Sequence, residues 1–151
     1  MPSLTKLVAL LLFAGLAAVA DGRYLALHDD PPRHGSLVLW LTLIGGAVGW
    51  RFVGARVGGS LANAAWVGVQ GVILIVFWAL VLLGTAEVFV RGYRRAYDDV
   101  GEAFLGLFDI ALEHLARMAD PDFALFILGG GVVLALICNL FHRVAERRRF
   151  R

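Results

Sequence analysis

Residues 64–86 read AAWVGVQGVILIVFWALVLLGTA, a run without one charged side chain. A helix rises 1.5 Å per residue, so about 20 such residues cross the roughly 30 Å hydrocarbon core of a bilayer. Backbone N–H and C=O groups have no partner in lipid, so a run of this kind must pair them internally as a helix. Working outward, three more runs fit the same reading. Residues 4–20 are interrupted only by Lys6, whose long stem can snorkel to the headgroups. Residues 36–53 are entered through Trp40 and left through Trp50 and Arg51, and residues 123–141 are uncharged and precede a basic tail. All four are longer than strands, and none alternates with period two as barrel strands do. The expectation is an all-α polytopic membrane protein, a single helical membrane domain over residues 1–151. It has about four transmembrane helices, near 4–20, 36–53, 64–90 and 123–141.

The segment between the last two runs has a different pattern. Val100, Ala103, Phe104, Leu107, Ala111, Leu115 and Met118 recur at spacings of three and four, with Asp99, Glu102, Asp109, Glu113 and Arg117 on the other side. An amphipathic helix over 100–119 is expected, lying at the membrane surface or across the bundle with Phe104, Leu107, Ala111 and Leu115 buried. Asp120-Pro121 ends it, since proline lacks the donor that the next turn needs. The third span is expected to continue past Val90 to about Tyr97. Four-residue pairs Glu87 to Arg91, Arg94 to Asp98 and Arg95 to Asp99 favour this, with Gly92 as the weak point.

Composition agrees with the pattern. Apolar residues make up 60% of the chain and charged residues 17%, against roughly 25% in soluble domains. A net charge of +2, without basic residues interleaved with aromatics, sets nucleic acid aside. The lone Cys138 excludes an intrachain disulfide and every zinc pattern built on several thiols.

The loops suggest an orientation. Lys6, Arg51, Arg56, Arg143, Arg147, Arg148, Arg149 and Arg151 share one side with only Glu146 opposing them. The other side holds Arg23, Arg33, Arg91, Arg94, Arg95 and Arg117 among many carboxylates. The positive-inside rule then puts both termini in the cytoplasm, eight basic residues against six. Lys6, the apolar run after it and Ala18-Val19-Ala20 also fit a cleavable signal peptide, whose removal would leave three spans in the same orientation.

In order and spacing, several fragments together resemble the TrgA family of small bacterial membrane proteins associated with tellurite resistance. They are Pro2 with Lys6-Leu7-Val8, Gly49-Trp50-Arg51 with Gly54 and Arg56, and Phe77-Trp78-Ala79-Leu80. Glu87, Arg94-Arg95 with Tyr97-Asp98, Glu102-Ala103, Ala111-Leu112-Glu113, Asp120-Pro121 and Gly129-Gly130-Gly131 with the basic tail complete the set. The loop 21–35 and the strongly basic tail depart from the pattern. The resemblance implies a four-span bacterial inner-membrane protein tied to tellurite tolerance, and it carries over no catalytic residue or defined activity.

Candidate chemistry is sparse. Glu87, near the end of the third span, is an intramembrane ionisable residue, which is a functional candidate by default. Arg91, Arg94 and Arg95 are candidate contacts for an anion or a lipid headgroup, since guanidinium forks suit oxyanions, although a helix laced with ion pairs is the simpler reading of them. Cys138 and His142 lie one turn apart, yet two ligands are too few for a closed metal site. A small buried thiol beside an interfacial histidine is the simpler reading. Gly45, Gly49 and Gly129 to Gly131 make narrow helix surfaces for close packing, and Asn63, Gln70 and Thr85 are candidates to join helices. No phosphate loop, nucleophile elbow or zinc-hydrolase histidine pair is present, so no catalytic, cofactor or metal residue is assigned. The leading expectation is a non-enzymatic inner-membrane protein contributing to tellurite tolerance. Its partners would be the lipid bilayer and other membrane proteins or a homo-oligomer. An oxyanion transporter or efflux subunit, and an accessory subunit of a larger membrane complex, are the alternatives.

Overall fold

Ser60 and the pair Asp120-Pro121 fix where two of the helices begin. In the computed structural model, which describes residues 3–26, 35–93 and 100–147, the described residues contain no strand. Helix α1 is Ser3–Ala26, α2 is Gly35–Val48, and a π-helical turn, Gly49–Val53, joins it to the short α3, Gly54–Arg56. Then come α4, Leu61–Tyr93, α5, Val100–Met118, and α6, Pro121–Arg147. The Ser60 hydroxyl caps α4 by accepting the Asn63 N–H at 3.1 Å. The Asp120 carboxylate caps α6 by accepting the N–H groups of Asp122 and Phe123, both at 3.1 Å, and Pro121 takes the first helical position, where no donor is needed. Asp120-Pro121 therefore ends α5 and starts α6 at once.

Four stretches are long and apolar enough to cross a membrane: Leu4–Ala26, Val38–Arg56, Leu61–Val90 and Pro121–Glu146. The chain is an all-α polytopic membrane protein with an amphipathic helix between its third and fourth spans. In α4 only 22% of the most apolar window is buried by protein, so most of that apolar surface is left uncovered by the chain itself. α1 outruns residue 20 because Asp21 and Tyr24 both turn inward, at 8% and 5% exposure. α4 passes Gly92 without a break and is helical to Tyr93; residues 94–97 lie outside the described residues.

The helices meet along glycine seams. Against α1, a Cβ at Gly45 would stand 2.5 Å from the Phe13 carbonyl oxygen, Gly49 abuts the Ala9 carbonyl, and a Cβ at Gly54 would stand 2.7 Å from the Lys6 Cα. Residue numbers fall on α1 as they rise on α2, so the two helices are antiparallel. The glycine spacing is four and then five, and a regular helix turning about 100° per residue would carry Gly54 about 140° off the seam. The π turn absorbs the extra residue: the Gly54 N–H bonds to the Gly49 carbonyl, and Gly54 returns to α1. A second seam joins α4 to α6, where a Cβ at Gly68 would lie 2.5 Å from the Gly131 carbonyl and Gly131 abuts Val72. Gly130 faces Leu16 of α1, and Gly129 faces open space on an unbroken helix. Phe13, Val53, Val72 and Ala135 fill the centre, each at 1% exposure or less.

For α5 the expected buried stripe needs correction. Ile110 is the fully buried residue at 1% exposure, while Phe104 and Leu115 are 60% and 44% exposed; Leu107 and Ala111 are half-buried. The helix is rolled so that His114 faces inward, where it finds polar partners, and this roll carries Phe104, Phe108, Leu112 and Leu115 towards the outside. Leu107 packs on Gly84 and His114 meets Glu87. These contacts are seven residues apart on α5 but three apart on α4, so the helices cross instead of running side by side.

Candidate polar site between α1, α4 and α5

Every polar side chain placed within a span needs a partner, because lipid supplies none. At the end of the bundle where α1 finishes, three helices meet that requirement together. Tyr24 of α1 and His114 of α5 are joined between the hydroxyl and Nδ1 at 2.5 Å. His114 Nε2 lies 3.2 Å from Oε2 of Glu87 on α4. A neutral imidazole carrying its proton on Nε2 satisfies both contacts: Nε2–H donates to Glu87, and Nδ1 accepts from the Tyr24 hydroxyl. Arg117, one turn further along α5, donates to Glu113 at 2.6 Å and also reaches the Tyr24 hydroxyl. The Tyr24 ring lies 6.0 Å from both the His114 and the Phe123 rings, and the Arg23 guanidinium covers the Phe126 ring at 4.2 Å. Beneath the chain, Asp21 and Tyr24 line a small cavity of about 40 Å³ with Leu41, Ala79, Leu83 and Met118.

Chemically this is a phenol, an imidazole and a carboxyl group in a continuous hydrogen-bonded chain. It fixes α5 to two spanning helices at a point where an isolated carboxylate would be costly. Of the residues expected from the sequence, Glu87 belongs to the site. Arg91 is in α4 by its backbone, and Arg94 and Arg95 lie outside the described residues. Tyr24, His114 and Asp21 were not anticipated as a site; the first span was expected to end at Ala20, whereas α1 runs on to Ala26. The signal that could have found them is spacing, since Tyr24 follows Asp21 by three residues and so shares its face.

The opposite end holds the basic residues. Lys6 packs beside Gly54, Thr5 is 3.4 Å from His142 Nδ1, His142 is 3.5 Å from Glu146, and Arg143 donates to the Gly59 carbonyl. Gly59 has φ +83, a left-handed value that a side chain would strain. Cys138 is fully buried one turn before the half-buried His142, as a packed thiol. The residues expected to join helices do other things: Asn63 donates to the Gly58 carbonyl, Thr85 donates back to Val81 of its own helix, and Gln70 borders a groove. Asn139, wholly buried on α6, has neither its amide nitrogen nor its oxygen paired among the described residues. Comparison with protein-family models, with curated proteins and with solved structures gives no match.

Proposed function

We propose that the chain is a non-enzymatic accessory component of the bacterial inner membrane that supports tolerance to tellurite. The observation that carries the accessory reading is the Tyr24–His114–Glu87 chain: the ionisable group expected to act within the third span is used to dock an amphipathic helix. Asp21 faces a void of about 40 Å³, room for no more than a few waters, and among the side chains that line it only Tyr24 adds a second polar group. The tellurite assignment rests on the ordered fragments that resemble the TrgA family. Docked on the bundle, α5 presents Phe104, Phe108 and Leu112 outward, an apolar surface that lipid or a neighbouring membrane protein would cover.

The test is a deletion strain assayed for growth on tellurite and complemented with the parent chain or with His114→Ala. Lowered tolerance on deletion, restored by the parent and less so by His114→Ala, is expected. Unchanged tolerance would sink the tellurite assignment. Tellurite flux through proteoliposomes holding the purified chain alone would replace the accessory reading with transport.

A further inference from the structure

At the basic end of the bundle, a lateral groove of about 500 Å³ opens between the π turn with α3 on one side and α4 on the other, lined by Phe52, Arg56, Gln70, Ile73, Leu74 and Phe77. We propose that it seats one acyl chain of an anionic phospholipid, whose phosphate is held by Arg56 and Gln70. The groove's volume lies within the roughly 300–1,000 Å³ of ordinary ligand pockets. Its polarity is graded. Arg56 and Gln70 occupy one end, and Ile73, Leu74 and Phe77 continue from them along about 10 Å of α4, with no polar side chain among them. Ile73 and Phe77 are 58% and 54% exposed, so the apolar part opens sideways, where acyl chains are.

Charge decides the headgroup. The Arg56 guanidinium lies over the Phe52 ring at 4.0 Å. Stacking occupies the face of the fork and leaves its in-plane N–H donors directed outward, the geometry that binds a phosphate. Among the described residues no carboxylate pairs with Arg56 and none lines the groove. Arg51 and Lys6 sit at the same end, so the local field favours an anion there. Trp66, 61% exposed, stands one turn before Gln70 on the same face of α4, the position of an interfacial aromatic. The π turn is what makes the groove: by returning Gly54 to α1 it sets Phe52 and Arg56 towards α4.

The experiment uses the full chain, purified in mild detergent and stripped of lipid, and measures binding of phosphatidylglycerol and phosphatidylcholine with identical acyl chains by native mass spectrometry. Phosphatidylglycerol is expected to bind more tightly. Arg56→Gln should weaken it about tenfold or more, the loss of one charged hydrogen bond, and weaken phosphatidylcholine less, because its choline cation already offsets the phosphate charge, so that the preference disappears. Ile73→Trp, which fills the groove from its lipid-facing side and leaves the core untouched, should weaken both lipids. Val81→Trp, on the same helix but outside the groove, should weaken neither. Equal binding of the two lipids by the parent, an unchanged preference in Arg56→Gln, or unchanged binding in Ile73→Trp would each overturn the proposal. So would displacement of half the lipid by an equal concentration of inorganic phosphate, which would mean that the acyl chain adds nothing to the affinity.

Discussion

Removing the imidazole of His114 takes one partner from each of two groups, the Tyr24 hydroxyl, which keeps Arg117, and the Glu87 carboxyl group. A hydrogen bond lost from a group that keeps another partner costs about 0.5–1.5 kcal/mol, and the side chain of Glu87, 37% exposed, brings its share to the low end. His114→Ala should therefore lower the thermal midpoint in detergent more than Glu113→Gln, which alters an exposed pair. Glu87→Gln separates the two states of the ring. A neutral imidazole donating through Nε2 is accepted by an amide oxygen as well, so the Gln variant should keep most of the stability that Glu87→Ala loses. Equal losses in the two would mean that the contact is an ion pair with imidazolium. Asn139 makes the opposite case, since both polar ends of its buried amide lack partners among the described residues. Asn139→Leu should raise the thermal midpoint, and a fall would point to a partner supplied from outside the chain. Glu87 was legible in the sequence because a carboxylate in an apolar run stands out. His114 was not, because a lone histidine on a mixed helix carries no periodic signal and its partners lie 27 and 90 residues away.

At the scale of the element, length and apolarity made the four spans and α5 readable, and Asp120-Pro121 marked their division. The π turn was hidden, because Gly49 and Gly54 appear five apart without showing that a neighbouring helix requires them on one face. The seams themselves give a sharp contrast between glycines that are neighbours in sequence. Gly131→Leu forces side-chain atoms into Val72 and the Gly68 backbone, and overpacking of this kind costs about 1–3 kcal/mol. A Cβ at Gly129 would meet nothing within 4 Å, so Gly129→Leu should be tolerated. The thermal midpoints of the two variants check the seam, and equal losses would mean that α6 is rotated from its described position. For α5, Leu107→Asp should release the helix by placing a carboxylate against Gly84, and Ile110→Asp should do so more strongly. Glu113→Gln should leave it docked, as read by protease sensitivity of the α5 segment.

For the whole molecule, the order of the helices gives ends of opposite character, and that asymmetry yields a topology prediction. Lys6, Arg51, Arg56 and Arg143 gather where α1 begins and α6 approaches its end, whereas Asp21, Glu87, Glu113 and Asp122 lie towards the other end. Cytoplasmic loops retain Lys and Arg, so the first end should face the cytoplasm. In a Cys138→Ala background, Ser60→Cys and Asp122→Cys put single thiols at exposed positions on opposite ends. An impermeant maleimide should label Asp122→Cys in intact, outer-membrane-permeable cells, and Ser60→Cys only after the inner membrane is opened. The reverse pattern would invert the protein and leave every packing contact as it is, because the seams and the Tyr24–His114–Glu87 chain do not depend on which way the bundle points. Labelling of both in intact cells would instead contradict a fixed four-span bundle, since antiparallel neighbours require the α3–α4 turn and the α5–α6 turn to lie on opposite faces of the bilayer.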